Sequence, residues 1–357
     1  YSADGIILDG AIGLSANALS DVLGLTGPVT LAQSKITLDR DNFLTEIQKQ
    51  VQEGLAARLA EASGVAREGS DYPKEVLREL APVLVERLQK LDSESQNQLT
   101  GLLLGWVRNR NLRVYMQDAT LQKFVERYGL AGQVSDLPSA LSGDYLAVTD
   151  ANVGGGKTDL YMKEKILLQS SLDLDGKLNN HLVISREHKG KDGKYWWYQV
   201  ANQNYLRVFV PPEAKLTYAS GGAAKTIYPK VNYVREKYLV DADLKTIEDS
   251  RESYPEFPFI ESFVEAGKNV FATWSKTDIG KKSEIVMDYS RRLPEEPYAG
   301  MKYELIVEKQ SGSKSEYQLE IGAPVGYKWK ENGLPVYEYK TTDLPGQLIL
   351  SLTLEKI

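Results

Sequence analysis

Two hydrophobic periods divide this chain of 357 residues. Up to about residue 140 the apolar side chains recur every three or four positions, which places them on one face of a helix. Leu14, Ala18, Leu19, Val22 and Leu23 outline a short helix stopped at Gly24. Phe43, Ile47, Val51, Leu55 and Leu59 outline a longer one, capped by Asp39 or Asp41 and ending near Ser63-Gly64. A third stripe follows Pro73, through Val76, Leu77, Leu80, Leu84, Leu88 and Leu91, with Pro82 placed to kink or divide it. Ser93 with Gln96 reads as a capping box for a helix containing Leu99, Leu102, Leu103 and Trp106. Leu112–Met116 reads as a strand, and Asp118 caps a last short helix through Leu121, Phe124 and Val125, closed by Gly129. With short strands at 6–8, 29–31 and 36–38, residues 1–140 predict an α/β or α+β domain, expected to be truncated at its N-terminus.

Beyond this point the period becomes two, the mark of strands. Residues 160–174 and 178–185 flank Asp175-Gly176, a strong hairpin turn. Asp192-Gly193 reads as a second turn before a strand-like Tyr195-Trp196-Trp197-Tyr198, and residues 206–210 end at Pro211-Pro212. Strands recur at 269–274, 284–289, 303–308, 317–321, 336–340 and 348–354. The expectation is a set of mostly antiparallel β-sandwich-like modules. One spans 141–293, with an irregular insertion at about 220–262 that carries a short helix around 241–251. A terminal β module spans 294–357.

The junction, 142–165, holds the most motif-like run of the chain. Ala151 opens a relaxed phosphate-loop pattern that ends in Gly156, Lys157 and Thr158. Such a loop needs a helix after it, whose N-terminal amides hold the phosphates. Here Leu160, Met162, Ile166 and Leu168 fall at even spacing and predict a strand, so a nucleotide site is rejected. Asn152 and Gly154 to Gly156 read instead as a glycine-rich connection between the N-terminal domain and the first β module. Three consecutive glycines imply dihedrals that other residues would find strained.

Composition narrows the chemistry. A net charge of -6 argues against nucleic acid as a partner. The absence of cysteine removes disulfides, thiolate metal sites and cysteine nucleophiles, and two histidines, His181 and His188, leave little for imidazole chemistry. Tyrosine outnumbers phenylalanine 21 to 7, which suits strands with one wet face. Asp173-x-Asp175-Gly176 has the opening of a calcium loop but strand-like flanks, so it reads as a hairpin turn. Glu187-His188 beside Lys189 reads as exposed loop, and Arg108, Arg110 and Arg113 as complements of a helix end. Trp196 and Trp197 are the candidate ligand contacts: strand alternation would send one to the core and expose the other. No catalytic residue, metal site or cofactor is expected.

Several blocks together resemble the bacterial envelope family catalogued as domain of unknown function 4012. They are Asp4-Gly5-Ile6-Ile7-Leu8-Asp9, Leu19 to Val29 ending in Thr26-Gly27-Pro28-Val29, and Gly143-Asp144-Tyr145 through Asp150-Ala151-Asn152. Gly154-Gly155-Gly156-Lys157, the run Tyr205 to Pro212 and Glu308-Lys309-Gln310-Ser311-Gly312 complete the set. The resemblance implies a large protein exposed outside the cytoplasm, with an N-terminal membrane anchor upstream of Tyr1. That family has no established activity and supplies no catalytic residue. Leu19 to Val29 also resembles a helix-turn segment of LytR-CpsA-Psr enzymes, which transfer glycopolymers from lipid carriers, but their arginine and aspartate set has no match here.

These readings favour a non-enzymatic cell-surface protein with a structural or adhesive role, whose partners are other envelope proteins or cell-surface glycans. The alternatives are an envelope glycopolymer- or lipid-carrier-binding protein or transferase, and a carbohydrate-binding surface module using Trp196 or Trp197.

Overall fold

The helical and strand-like halves of the pattern form separate units in the computed structural model, which describes residues 7–62, 75–227, 231–233 and 235–357. Ile6, Ser63-Gly64 and Pro73 of the readings above lie outside the described residues. The division between the units falls at Gln133 and Val134.

The first unit runs β1 (Gly10–Leu14), α1 (Ala16–Thr26), β2 (Val29–Leu31), β3 (Ile36–Leu38), α2 (Phe43–Ala62), α3 (Glu75–Gln89), α4 (Ser93–Arg108), β4 (Leu112–Met116) and α5 (Ala119–Arg127). Its strands form two antiparallel pairs, β1 with β4 and β2 with β3. The helical stripes meet in one core, where Ala18, Val22, Leu23, Phe43, Leu80, Leu84 and Trp106 are buried. Trp106 also donates its indole N–H to Asp21 at 3.0 Å, tying α4 to α1. Three local readings shift. The first described strand begins at Gly10, because residues 10–14 pair with β4 from Gly10–Met116 to Leu14–Leu112. Leu14 therefore belongs to a strand, and Ser15 caps α1. Asp92 rather than Ser93 caps α4, its carboxylate accepting from the Ser95 amide at 2.8 Å.

The second unit holds β5 (Gly143–Asn152), β6 (Met162–Leu172), β7 (Lys177–His188), β8 (Asn202–Val210), β9 (Lys215–Ser220), α6 (Ala242–Asp249), β10 (Glu252–Ser253), β11 (Ile260–Glu265) and β12 (Lys268–Thr277). There follow β13 (Lys282–Arg292), β14 (Lys302–Lys309), β15 (Glu316–Gly322), β16 (Tyr327–Trp329), β17 (Val336–Thr341) and β18 (Gln347–Lys356). They form two sheets, with strand orders β10-β11-β12-β8-β5-β14-β18-β16 and β17-β15-β6-β7-β13-β9. Pairing is antiparallel except for β14 with β5 and β15 with β6. Inward-facing residues of both sheets share one core: Leu146, Val208, Phe271 and Leu305 from the first, Ile166, Ile184, Met287 and Leu319 from the second.

This pairing corrects the expected separate module at 294–357. β14 lies between β5 and β18, and β15 between β6 and β17, so residues 302–356 are built into both sheets. Parted from their parallel neighbours, β5 and β6 would each leave a ladder of backbone groups unpaired. The insertion at 220–262 carries α6 as expected and takes the chain from β9 in one sheet to β10 and β11 in the other.

Candidate functional site

The glycine-rich run lies inside the β unit. It carries the chain from β5 in the eight-stranded sheet to β6 in the six-stranded one, which corrects the expected junction between domains. Only Gly154 and Gly156 have positive φ, at 89° and 63°. Gly155 is required for space instead: a Cβ there would stand 2.5 Å from the Gln203 amide nitrogen and 2.4 Å from the Asn152 side-chain oxygen. The loop closes on itself. Asn152 accepts from the Gly155 amide at 3.0 Å, Thr158 donates its hydroxyl to the Gly155 carbonyl at 2.8 Å, and the Lys157 amide donates to the Trp197 carbonyl at 3.0 Å. In a phosphate loop these amides and this hydroxyl would face the nucleotide and its magnesium. Here they face protein, and the run continues as a four-residue 3-10 turn, Thr158–Tyr161, rather than an α-helix.

Under the loop sits a charged network that the sequence reading passed over. Arg186 is almost fully buried, and its guanidinium donates to Asp150 at 2.7 Å, to Glu164 and to the Asn202 side-chain oxygen at 3.4 Å. Asn202 in turn donates to Thr158 at 2.9 Å and to Asp159 at 2.7 Å, while Ser315 donates to Glu164 at 2.7 Å. Burial pushes the Glu164 carboxyl up, against the pull of the Arg186 guanidinium. The carboxylates of Asp150 and Glu164 thus converge on an arginine, a cation supplied by the chain itself. Among the described residues no group of histidines and carboxylates is arranged to hold a metal ion. The signal for Arg186 was parity: it shares the inward face of β7 with Leu178, Leu182 and Ile184.

The same parity corrects the reading of His188. It ends β7 fully buried rather than lying in an exposed loop. Its Nδ1 accepts from the Gly190 amide at 3.0 Å, which leaves Nε2–H to donate to the Val200 carbonyl at 2.9 Å. Both ring nitrogens are spent on shaping the segment 190–200. That segment is not a strand. Gly190–Asp192 and Trp196–Tyr198 are single 3-10 turns.

On this base stands an aromatic group. Trp197 is buried, stacked on Tyr195 with ring centroids 4.6 Å apart and planes 12° from parallel. Tyr198, also buried, packs on Tyr161 at 4.9 Å. Trp196 projects outward, 66% exposed, its ring edge-on to Trp197 at 5.9 Å. One tryptophan inside and one outside is what the sequence suggested, but the cause is a tight turn rather than strand alternation. Lys194 lies 5.3 Å over the Tyr195 ring. The turn can offer a flat apolar face flanked by a cation. The run Asp173 to Gly176, read as a hairpin turn, is the β6–β7 turn, with Gly176 at φ 78°.

A second buried polar group lies farther along the interior. Asp144 in β5 accepts from Asn180 at 2.8 Å, and Ser170 donates to Asn180 at 2.5 Å. Burial pushes the Asp144 carboxyl up to about 7, with the Tyr145 amide, Arg291 and Asn180 opposing the shift. Burial also raises the hydroxyls of Tyr289 and Tyr303, both near the Asp144 charge.

No protein-family model and no curated protein matches the chain. Among solved structures it is similar to a Legionella pneumophila protein described as "a putative nutrient binding protein", with 10% identity and a TM-score of 0.32 over 60% of this chain and 72% of that one. It is also similar to "a putative protease" from Parabacteroides distasonis, with 11% identity and a TM-score of 0.20 over 56% of this chain and 36% of that one. Overlaps of that quality define neither a ligand nor an activity for this chain.

Proposed function

We propose that this chain is a non-enzymatic protein of the bacterial cell envelope, working outside the cytoplasm in contact with other envelope proteins or surface glycans. In this reading the first unit is an α+β domain and the second a sandwich-like carrier that presents Trp196. The observation that carries it is the exposure of Trp196 on a turn whose every neighbour is fixed. Trp197 and Tyr198 are buried beneath it, His188 holds the backbone on both sides, and the glycine-rich loop closes against it. Tryptophan is enriched at binding surfaces, where a rigid indole offers a large apolar face and a polar edge. The blocks that resemble the envelope family support the location. Arg186, Glu164 and His188 are engaged with one another or with backbone, which fits a structural role for them.

The test is cross-linking in cells that carry the full-length protein, with and without Trp196→Ala. The expected result is surface exposure of the protein and loss of one or more cross-linked neighbours, or of glycan retention, in the variant. An identical set of neighbours and equal retention would remove Trp196 as the contact. A cytoplasmic location would remove the proposal as a whole.

A further inference from the structure

The outer face of the six-stranded sheet carries a cleft of about 430 Å³ whose lining is almost wholly hydrogen-bonding side chains. Strand register brings them together. Gln169 of β6 lies opposite His181 of β7, which lies opposite Asp288 of β13, which lies opposite Tyr218 of β9. On the other side Gln169 is opposite Glu320 of β15. One row of side chains therefore crosses five strands, and Ser171, Asn179 and Thr217 border it.

The hydrogen bonds within this face share one sense. Gln169 donates its amide to Glu320 at 2.7 Å, and Asn179 donates its amide to Asp173 at 2.9 Å. The His181 Nδ1 lies 2.6 Å from the Asp288 carboxylate, so that nitrogen carries the proton. Each of the three donor ends is held by its own carboxylate. What remains is Gln169 Oε1, Asn179 Oδ1 and His181 Nε2 as acceptors, a second N–H on each amide, and the Asp288 carboxylate beside them. The Ser171 hydroxyl adds a group that can donate or accept a hydrogen bond. Tyr218 is 46% exposed, its ring set edge-on to Phe257 at 5.9 Å, and adds an aromatic surface at the end of the row.

Amides and hydroxyls, carboxylates that fix them, and the Tyr218 ring beside the cleft are complementary to an uncharged ligand with several hydroxyls and an apolar C–H face. We infer that this cleft is a binding site for a neutral carbohydrate, with Gln169, Asn179 and His181 accepting from its hydroxyls and Tyr218 packing on its ring. The inference deepens the surface-binding reading by naming a ligand class, and rests on that reading only for the setting; its residues are separate from Trp196.

The experiment is saturation-transfer-difference NMR on the whole chain with N-acetylglucosamine, galactose and mannose oligosaccharides, followed by titration of any that bind. Gln169→Ala and His181→Ala change exposed side chains, and unchanged thermal unfolding would show that each still folds. Each should weaken saccharide binding by about tenfold, the loss of one or two hydrogen bonds to an uncharged ligand. No saturation transfer from any saccharide would overturn the inference. So would transfer that survives both cleft variants; if it is then lost in Trp196→Ala, the sugar site is the aromatic turn, and the surface-binding reading stands without the cleft.

Discussion

Gly156 and Trp197 meet backbone to backbone: a Cβ on Gly156 would stand 2.4 Å from the Trp197 carbonyl oxygen and 2.7 Å from a methyl of Val200. The sheet-crossing loop and the aromatic turn are thus one body, and the glycine is needed both for this approach and for its φ of 63°. Gly156→Ala should destabilise the protein by about 2–4 kcal/mol, combining strain with a steric clash. Urea unfolding would measure it, and the near-ultraviolet circular dichroism of the tryptophans should weaken with it. A variant as stable as the parent would separate the loop from the turn.

Arg186 neutralises two carboxylates, the mostly buried Glu164 and the half-buried Asp150. Arg186→Met should cost about 2–4 kcal/mol, because the mostly buried Glu164 and the half-buried Asp150 would then lie beside each other without a cation. Removing a carboxylate as well, in Arg186→Met with Glu164→Leu, should restore part of that loss. Denaturant midpoints of the two variants decide the matter: equal midpoints would mean that the network is not the source of the effect.

Asp144 makes stability depend on pH in a direction opposite to most carboxylates. Its carboxyl is pushed up to about 7 when folded, from an ordinary value of 3.8, so the folded chain holds a proton that the unfolded chain has released. That extra proton lowers stability as pH rises from about 4 to about 7, after which the effect levels off. Asp144→Asn removes the titration. The stability difference between variant and parent should therefore shift in favour of the variant across that window, by thermal unfolding at matched ionic strength. A difference independent of pH would place the Asp144 carboxyl in the ordinary range.

Lys157→Ala should leave Mg·ATP binding unchanged by calorimetry, since the loop amides are already donated to protein acceptors. Tight binding that depends on Lys157 would require the loop to open and would overturn its assignment as a sheet crossover.

Limited proteolysis should cut within 231–240, where Leu239 is 97% and Val240 77% exposed. The segment 135–141 is held down. Ser135 donates to Glu308 at 2.5 Å, Lys268 donates to the Ser135 carbonyl at 2.5 Å, and Arg291 reaches the Leu141 carbonyl at 3.4 Å. The nicked chain should still elute as one species, because strands from both sides of the cut share each sheet. First cuts at 135–141, or fragments that separate, would count against this account.

Much of the secondary structure was legible because its causes are local. Period-two alternation marks β6, β7, β13 and β15, Asp175-Gly176 marks the turn between β6 and β7, and Asp118 marks the start of α5. The exposure of one tryptophan beside a buried one was legible too, though its mechanism was not. Pairing was decided only in three dimensions. Nothing near Glu304 or Glu316 says that their strands run parallel to β5 and β6, whose partner residues Gly143 and Lys165 lie far away along the chain. That choice depends on which edges remain unpaired once the hairpins have formed. The same holds for the interior charges. Arg186, His188 and Asp144 look like surface residues in the sequence, because a charge or an imidazole is stable inside only when partners from other strands arrive to meet it. Asp150 and Glu164 arrive for Arg186, Val200 for His188 and Asn180 for Asp144, and only the folded sheets bring them there.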